Sequence, residues 1–166
     1  MNNQFWDDSD YYTISNPVSD ETINEAEKEL GYKLPSTYIE LIRSKNGGTP
    51  INTCFRTTKA TSWAEDHIAI TAIHGIGEPS GIDSKEYGSK FMIEDWGYPD
   101  IGIVICSCPS AGHDAVMLDY SECGKNGEPK VIHVDVESLN GPKITFLAKD
   151  FESFISNLVN ENEFSI

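Results

Sequence analysis

The sequence predicts an α+β fold, in which an antiparallel sheet has two N-terminal helices and a C-terminal helix packed on it. Helical periodicity marks residues 19–48 and residues 150–159, whereas the chain between them has alternating or continuous apolar runs. Helices and strands therefore occur in separate blocks, which argues against a parallel sheet and favours helices on one side of the sheet. With 166 residues, of which 39% are hydrophobic, the chain is long enough for one core and short for two domains.

Two short helices are expected at the start of the domain. Ser19 is the predicted N-cap of the first, because Asp20 and Glu21 follow it where the helix dipole favours negative charge. Apolar side chains then recur at spacings of three and four residues, at Ile23, Ala26 and Leu30. The second helix follows Pro35, and Asn46-Gly47-Gly48 predicts a left-handed cap at its end.

Five strands are expected after residue 48. They are residues 68–72, 101–106, 115–118, 132–136 and 144–147. The unbroken apolar run 101–106 is typical of a central strand or one covered on both faces. In residues 132–136 the apolar positions alternate with His133 and Asp135, which predicts a half-buried strand. Asn126-Gly127 suits a long hairpin connection, so the strands beside it should be antiparallel.

The closing helix has the clearest pattern in the chain. Asp150 is its predicted N-cap. Its apolar stripe consists of Phe151, Phe154, Ile155, Leu158 and Val159. Because this spacing gives a helix one apolar face, we expect the helix to pack on the sheet. The organisation predicted for the whole chain is an irregular acidic and aromatic arm at residues 1–17, a single domain at residues 18–160 and a short tail at residues 161–166. The arm's aromatic rings are expected to lie on the domain.

The charge of the chain limits its partners. Twelve Lys and Arg residues stand against 27 Asp and Glu residues, giving a net charge of −15. Direct nucleic-acid binding is not expected, because it requires clustered cations and the only arginines are Arg43 and Arg56. Residues 60–100 contain eight acids and two lysines, a net charge of −6. This charge serves either solubility or the steering of a basic partner.

The expected location is the cytoplasm, with reduced thiols. No apolar run reaches the length of a membrane span, and the N-terminus is acidic where a signal peptide is basic. The four cysteines are sparse and irregularly spaced, unlike those of a disulfide scaffold.

Three motifs suggest chemistry, but none has the required pattern. The glycines of residues 75–81 lack the spacing and the β-α-β unit of a dinucleotide loop. A zinc set could be written from Cys106, Cys108, His113 and Cys123. Its first two cysteines have one residue between them instead of two to four, so core packing is preferred. His113 and Asp114 are adjacent in the extended chain that leads into the strand at residues 115–118 and point to opposite faces, so they cannot form a Ser-His-Asp triad with Ser110. We predict no catalytic residue, no metal and no cofactor.

Two short segments combine large aromatic rings with acids, in regions expected to be loop or helix end. They contain Trp63, Glu65 and Asp66, and Asp95 and Trp96. If the rings are exposed, such segments have the composition of a protein-binding patch for a cationic partner. The alternative is that the tryptophans pack on the sheet and the acids are simply solvated.

Two blocks of the sequence resemble the SUKH superfamily, which includes a yeast regulator of cell-wall synthesis and many bacterial proteins. The first runs from residue 23 to 48, through Leu-Gly-Tyr-Lys-Leu-Pro-Ser-Thr-Tyr, to Asn46-Gly47-Gly48. The second contains the strand at residues 101–106, the turn Gly112-His113-Asp114 before Met117, and the closing helix. Together they cover residues 19–160.

The resemblance implies an α+β domain with an antiparallel sheet and flanking helices. It also implies a function, since bacterial members are commonly immunity proteins that bind and neutralise a polymorphic toxin domain, often a nuclease. The alternative is a non-catalytic regulatory or scaffold protein without a toxin partner. Either role implies that the chain is not an enzyme, and the resemblance carries over no catalytic set and no oligomeric state.

Overall fold

A computed structural model describes residues 4–164. Its helices are α1 (Asp20–Leu30), α2 (Ser36–Ser44), α3 (Ser89–Trp96) and α4 (Phe151–Ser156), followed by a short 3-10 turn at Glu161–Glu163. Its strands are β1 (Cys54–Arg56), β2 (His67–Ala69), β3 (Ala72–Ile73), β4 (Gly102–Ser107), β5 (Asp114–Asp119), β6 (Lys130–Asp135) and β7 (Lys143–Ala148). The first three residues of the predicted arm and the last two of the predicted tail lie outside the described residues. No helix among residues 4–164 has the length and apolar character of a membrane span.

The larger sheet has five strands in the order β3-β4-β5-β6-β7, and every neighbouring pair is antiparallel. Strands β1 and β2 form a separate antiparallel pair. The predicted α+β class with an antiparallel sheet is therefore confirmed, and the strand expected at residues 144–147 is the edge strand β7.

Helices cover both faces of the larger sheet, whereas the sequence predicted helices on one side only. One face packs against α1, α2 and α4, through residues such as Ile105, Val116 and Phe154. The opposite face packs against α3, where Met92 contacts the cluster that contains Met117. Helix α3 was missed because its segment is only eight residues long and mixes acids with aromatic rings.

The ends of the first two helices differ in how well they were predicted. Ser19 caps α1 as expected, since its Oγ accepts a hydrogen bond from the Thr22 amide at 3.1 Å. The left-handed cap expected after α2 is wrong, because α2 ends at Ser44 and Lys45 is extended. The following Asn46 instead bonds to a distant loop. Its Oδ1 accepts from the Ile76 amide at 2.8 Å, and its Nδ2 donates to the Ile76 carbonyl at 2.9 Å.

The strand expected at residues 68–72 is in fact two strands of different sheets. The Ile70 amide donates to the carbonyl of Thr53, beside β1, at 2.8 Å. The next amide, that of Thr71, donates to Ser107 of β4 at 2.7 Å. Apolar alternation continues across this crossing because both sheets border one core, so the sequence pattern could not reveal it.

The closing helix is shorter than its apolar stripe. Asp150 caps α4 as predicted, accepting from the Ser153 amide at 2.8 Å. The helix ends at Ser156, and Val159 then exchanges two backbone hydrogen bonds with Cys54. Leu158 is still buried, so the stripe predicted burial correctly but not helix length.

Candidate functional site

The first predicted group lies in the loop of residues 57–66, between β1 and β2. The Thr61 hydroxyl organises this loop, because its Oγ1 accepts from the amides of Trp63 and Ala64, each at 3.2 Å. The side chain of Trp63 is 46% exposed. Glu65 and Asp66 are exposed beside it, and an Asp66 oxygen lies 2.8 Å from Nδ1 of His67.

This loop is fastened to the rest of the protein at two points. Lys143 of β7 donates to the carbonyl of Ala60 at 2.9 Å. The His67 ring stacks on Phe164 with centroids 3.7 Å apart, and the Arg56 guanidinium lies 4.9 Å from the same ring. The exposed indole of Trp63 is therefore carried by an anchored loop.

The second predicted group, Asp95 and Trp96, forms the last turn of α3. The helix is fixed to the sheet because the Ser89 Oγ accepts from the Val104 amide at 2.8 Å. Within the helix, the rings of Phe91 and Trp96 meet edge to face at 5.4 Å. Trp96 is 44% exposed, and Asp95 is also exposed. The last turn of the helix thus exposes both an indole and a carboxylate, on consecutive residues.

One face of the Trp96 indole lies against the turn that precedes β5. An ideal Cβ built on Gly112 would lie only 2.3 Å from the indole, so only glycine permits this approach. The φ of Gly112 is 96°, which also favours glycine. Tyr98 supports the turn by donating its hydroxyl hydrogen to the Gly112 carbonyl at 2.8 Å.

A cavity of about 490 Å³ opens beside Trp96. Its aromatic and apolar walls include Tyr12, Tyr87, Met92 and Trp96, and its polar lining includes His74, Ser107, Cys108 and Asp114. Burial lowers the pKa of His74 to about 4, so this imidazole is neutral at physiological pH.

A buried polar network lies beneath this cavity. Nε2 of His133 is 2.6 Å from Oδ2 of Asp114, and the Ser110 hydroxyl donates to the other carboxylate oxygen. Burial acts to raise the pKa of Asp114, but the hydrogen bonds from His133 and Ser110 bring it below its usual value. Burial raises the pKa of the nearby Cys108 thiol well above its usual value. At neutral pH the network therefore contains a carboxylate and a protonated thiol.

His133 corrects the half-buried strand expected at residues 132–136. The sequence assigned His133 to the solvent face, but the side chain is buried. Strand β6 lies between β5 and β7, and α4 covers the face that His133 shares with Val131. The adjacent residues His113 and Asp114 indeed take different environments, since exposed His113 bonds to Glu137 at 2.8 Å. The imidazole that pairs with Asp114 comes from the neighbouring strand.

The cysteines and histidine of the rejected zinc set do not assemble among residues 4–164. Cys106 is buried in β4, and Cys123 lies in the β5–β6 connection. The three potential ligands that do come together are Cys108, Asp114 and His133, whose ligand atoms all lie within 4.8 Å of one another.

The five predicted partner-binding residues thus belong to two groups on different elements. No hydrogen bond or aromatic contact within residues 4–164 joins the Trp63 loop to the end of α3. Sequence reasoning missed Tyr87, the cavity and the Asp114–His133 pair. The pair had one usable signal, a lone histidine in the middle of an apolar strand, but no local pattern indicates which residue of the neighbouring strand lies opposite it.

Anchored, exposed aromatic rings near carboxylates have the composition of a protein-binding surface. The chain belongs to the SMI1 / KNR4 family (SUKH-1), whose family model matches residues 17–157. Members of this family are generally non-catalytic, and the family suggests a protein partner. A search of curated proteins finds no match to the chain.

Proposed function

We propose that this chain is a cytoplasmic bacterial immunity protein, which catalyses nothing and neutralises a cognate polymorphic toxin domain by binding it. The observation that carries the proposal is Trp96, an indole held half-exposed at the mouth of a cavity. Tryptophans surrounded by polar groups are common binding hot spots in protein interfaces. In this proposal residues 18–160 are the binding domain, residues 1–17 its arm and residues 161–166 its tail.

The partner is a basic nuclease-like domain. Nuclease active sites use Lys and Arg to hold phosphate, so an acidic protein can occupy such a site in place of nucleic acid. The net charge of −15, with −6 within residues 60–100, supports this partner. The two groups of predicted residues, around Trp63 and Trp96, both lie in this acidic part of the chain.

Co-expression with the toxin domain encoded beside this gene tests the proposal. Wild type should rescue growth, and Trp96→Ala should weaken binding by about 2 kcal/mol or more if the ring is a hot spot. A variant combining Trp63→Ala, Trp96→Ala, Glu65→Lys, Asp66→Lys and Asp95→Lys should fail to rescue while remaining folded.

Two control variants separate a specific surface from a general loss of aromatic or acidic groups. Leu139→Ala removes a fully exposed apolar side chain in the β6–β7 connection. Glu152→Lys reverses an exposed charge on α4, outside the acidic segment. Both should rescue like wild type.

Two outcomes would contradict parts of the proposal. Full rescue by the folded quintuple variant would move the interface away from Trp63 and Trp96, with the acidic arm and α1 as the next surface to test. Absence of any neighbouring toxin gene, together with no inhibition of basic nuclease domains, would favour the regulatory or scaffold role instead.

A further inference from the structure

The buried network under the Trp96 cavity combines three different ligand chemistries. Cys108 offers sulfur, Asp114 oxygen and His133 nitrogen, and their ligand atoms all lie within 4.8 Å of one another. These are the three donor types that proteins use for Zn²⁺, at roughly 2.0–2.3 Å from the ion. Ligands at those distances in tetrahedral geometry lie roughly 3.3–3.8 Å apart. A zinc ion therefore requires that the 2.6 Å contact between His133 and Asp114 widen slightly and that the Cys108 sulfur, within 4.8 Å of both, settle at a similar separation.

The three side chains are held by neighbouring strands of the sheet. Asp114 begins β5, His133 lies in the adjacent β6, and Cys108 directly follows β4. The side chains are 5% exposed for Cys108, 4% for Asp114 and 1% for His133. Asp114 and His133 lie on strands, where ligands are positioned more rigidly than on loops, and Cys108 is held next to the end of β4.

Charge and access also fit a divalent ion. One thiolate and one carboxylate balance the two positive charges of Zn²⁺, so the loaded cluster with a neutral imidazole carries no net buried charge. Cys108 and Asp114 both line the cavity beside Trp96, which gives an ion a route from solvent and leaves one coordination position facing the cavity.

Ser107 lines the same cavity but lies apart from the three ligands. Its Oγ is buried and has no hydrogen-bond partner among the described residues. Because Ser107 pairs with Ala115 in the sheet, its side chain lies on the opposite face from that of Asp114.

We propose that Cys108, Asp114 and His133 form a Zn²⁺ site that opens into the cavity beside Trp96. This departs from the sequence-based expectation of no metal, which considered Cys108 only together with Cys106, His113 and Cys123. Binding replaces the hydrogen bond between His133 and Asp114 with two metal–ligand bonds, and the neutral imidazole then carries its single proton on Nδ1 so that Nε2 is free to bind the ion. The Cys108 thiol loses its proton to solvent as the sulfur–zinc bond forms, and no electron is transferred.

Cobalt substitution in the full chain tests the site, because a thiolate bound to Co²⁺ gives an intense near-ultraviolet charge-transfer absorption. Protein stripped with a chelator and titrated with Co²⁺ should show this absorption and saturate at one ion per chain. Added Zn²⁺ should displace the cobalt and abolish the absorption. Cys108→Ala should lose the band, and Asp114→Asn should weaken cobalt binding at least tenfold.

Matched cysteine variants identify the thiol that binds. Cys106→Ala removes a buried thiol two residues away, and Cys123→Ala removes the partly exposed one. Both should keep the cobalt band. No band in stripped wild-type protein, or a band that survives Cys108→Ala and disappears in Cys123→Ala, would overturn the proposal.

Cysteine alkylation in the wild-type protein tests the site even if Cys108→Ala fails to fold. Zn²⁺ should slow alkylation of Cys108 at least tenfold in mild denaturant, while alkylation of Cys123 should change little when peptides are compared by mass spectrometry. Equal alkylation of Cys108 with and without Zn²⁺ would refute the site. Because this readout and the cobalt band need no toxin, failure of the immunity proposal leaves them interpretable.

Discussion

Gly112 controls the position of the exposed indole at the edge of the cavity. The absence of a Cβ lets Trp96 lie on the turn, and the positive φ of the turn is easily adopted by glycine. Gly124 also has a positive φ, but an added Cβ there would meet no atom within 4 Å. Both glycines therefore have a left-handed backbone conformation, but only Gly112 lies against the Trp96 ring.

Gly112→Ala should destabilise the protein more than Gly124→Ala. The substitution at Gly124 should cost about 1–2 kcal/mol, the penalty of a left-handed conformation for alanine. At Gly112 the same strain is joined by displacement of the Trp96 ring, so the tryptophan fluorescence should also change. Urea unfolding measures the loss of stability, and emission spectra report the change at the tryptophan. Equal effects of the two substitutions would show that the position of the Trp96 indole does not depend on Gly112.

His74 should make stability depend on pH. Burial holds its pKa at about 4 in the folded chain, whereas an unfolded histidine titrates near about 6.5. Between these values the unfolded state binds a proton that the folded state does not, so the free energy of unfolding should fall as pH drops from about 6.5 towards 4. His74→Gln should lose less stability than wild type between pH 7.5 and pH 5.

The reference for this titration is wild type, unfolded with urea in the same buffers. If His74→Gln and wild type lose the same stability over the same range in urea unfolding, the folded imidazole is not held neutral by burial.

Among the secondary-structure elements, α4 joins the two sheets. Phe154 lies in the main core and stacks on Phe55 of β1 with ring centroids 5.3 Å apart. Phe151 packs edge to face against Tyr38 of α2 at 5.6 Å. A helix of six residues has little stability of its own, so these tertiary contacts hold it in place.

Truncation of Phe154 should lower the free energy of unfolding far more than truncation of an exposed phenylalanine of β7. Phe154 is fully buried, so Phe154→Ala should cost about 3–5 kcal/mol in the free energy of unfolding through lost burial and a cavity. Phe146 is 60% exposed, and Phe146→Ala should change stability by about 0.5 kcal/mol or less. Chemical denaturation measures both, and a small effect at Phe154 would mean that α4 is not part of the core.

For the whole molecule, the charge acts at longer range than any single contact. A net charge of −15 produces a field that attracts a basic partner before contact is made, while aromatic anchors act after contact. The two contributions therefore appear in different rate constants.

The association rate with a basic toxin domain should fall as salt rises from low to physiological concentration, because ions screen the acidic surface. Charge reversal at Glu65 or Asp66 should lower this rate further, whereas Trp96→Ala should mainly speed dissociation. Surface plasmon resonance at several salt concentrations separates these effects. An association rate independent of salt would argue against electrostatic steering.

The sequence alone determined the features that depend on neighbouring residues. Caps at Ser19 and Asp150, the apolar stripe of α4 and the strongly apolar strands were predicted because each signal lies within one helix or strand. The same local patterns carried the family resemblance. They also selected Trp63 and Trp96 as candidates, although their role in binding is a proposal.

Only the tertiary structure decided which distant residues meet. Asp114 and His133 are 19 positions apart, and their contact depends on the register between β5 and β6. The crossing between sheets at Ile70, the placement of α3 on the second face and the cavity beside Trp96 are likewise products of packing. A sequence pattern reports which face of an element is apolar, but the neighbours of that face are fixed by the free energy of the whole folded chain.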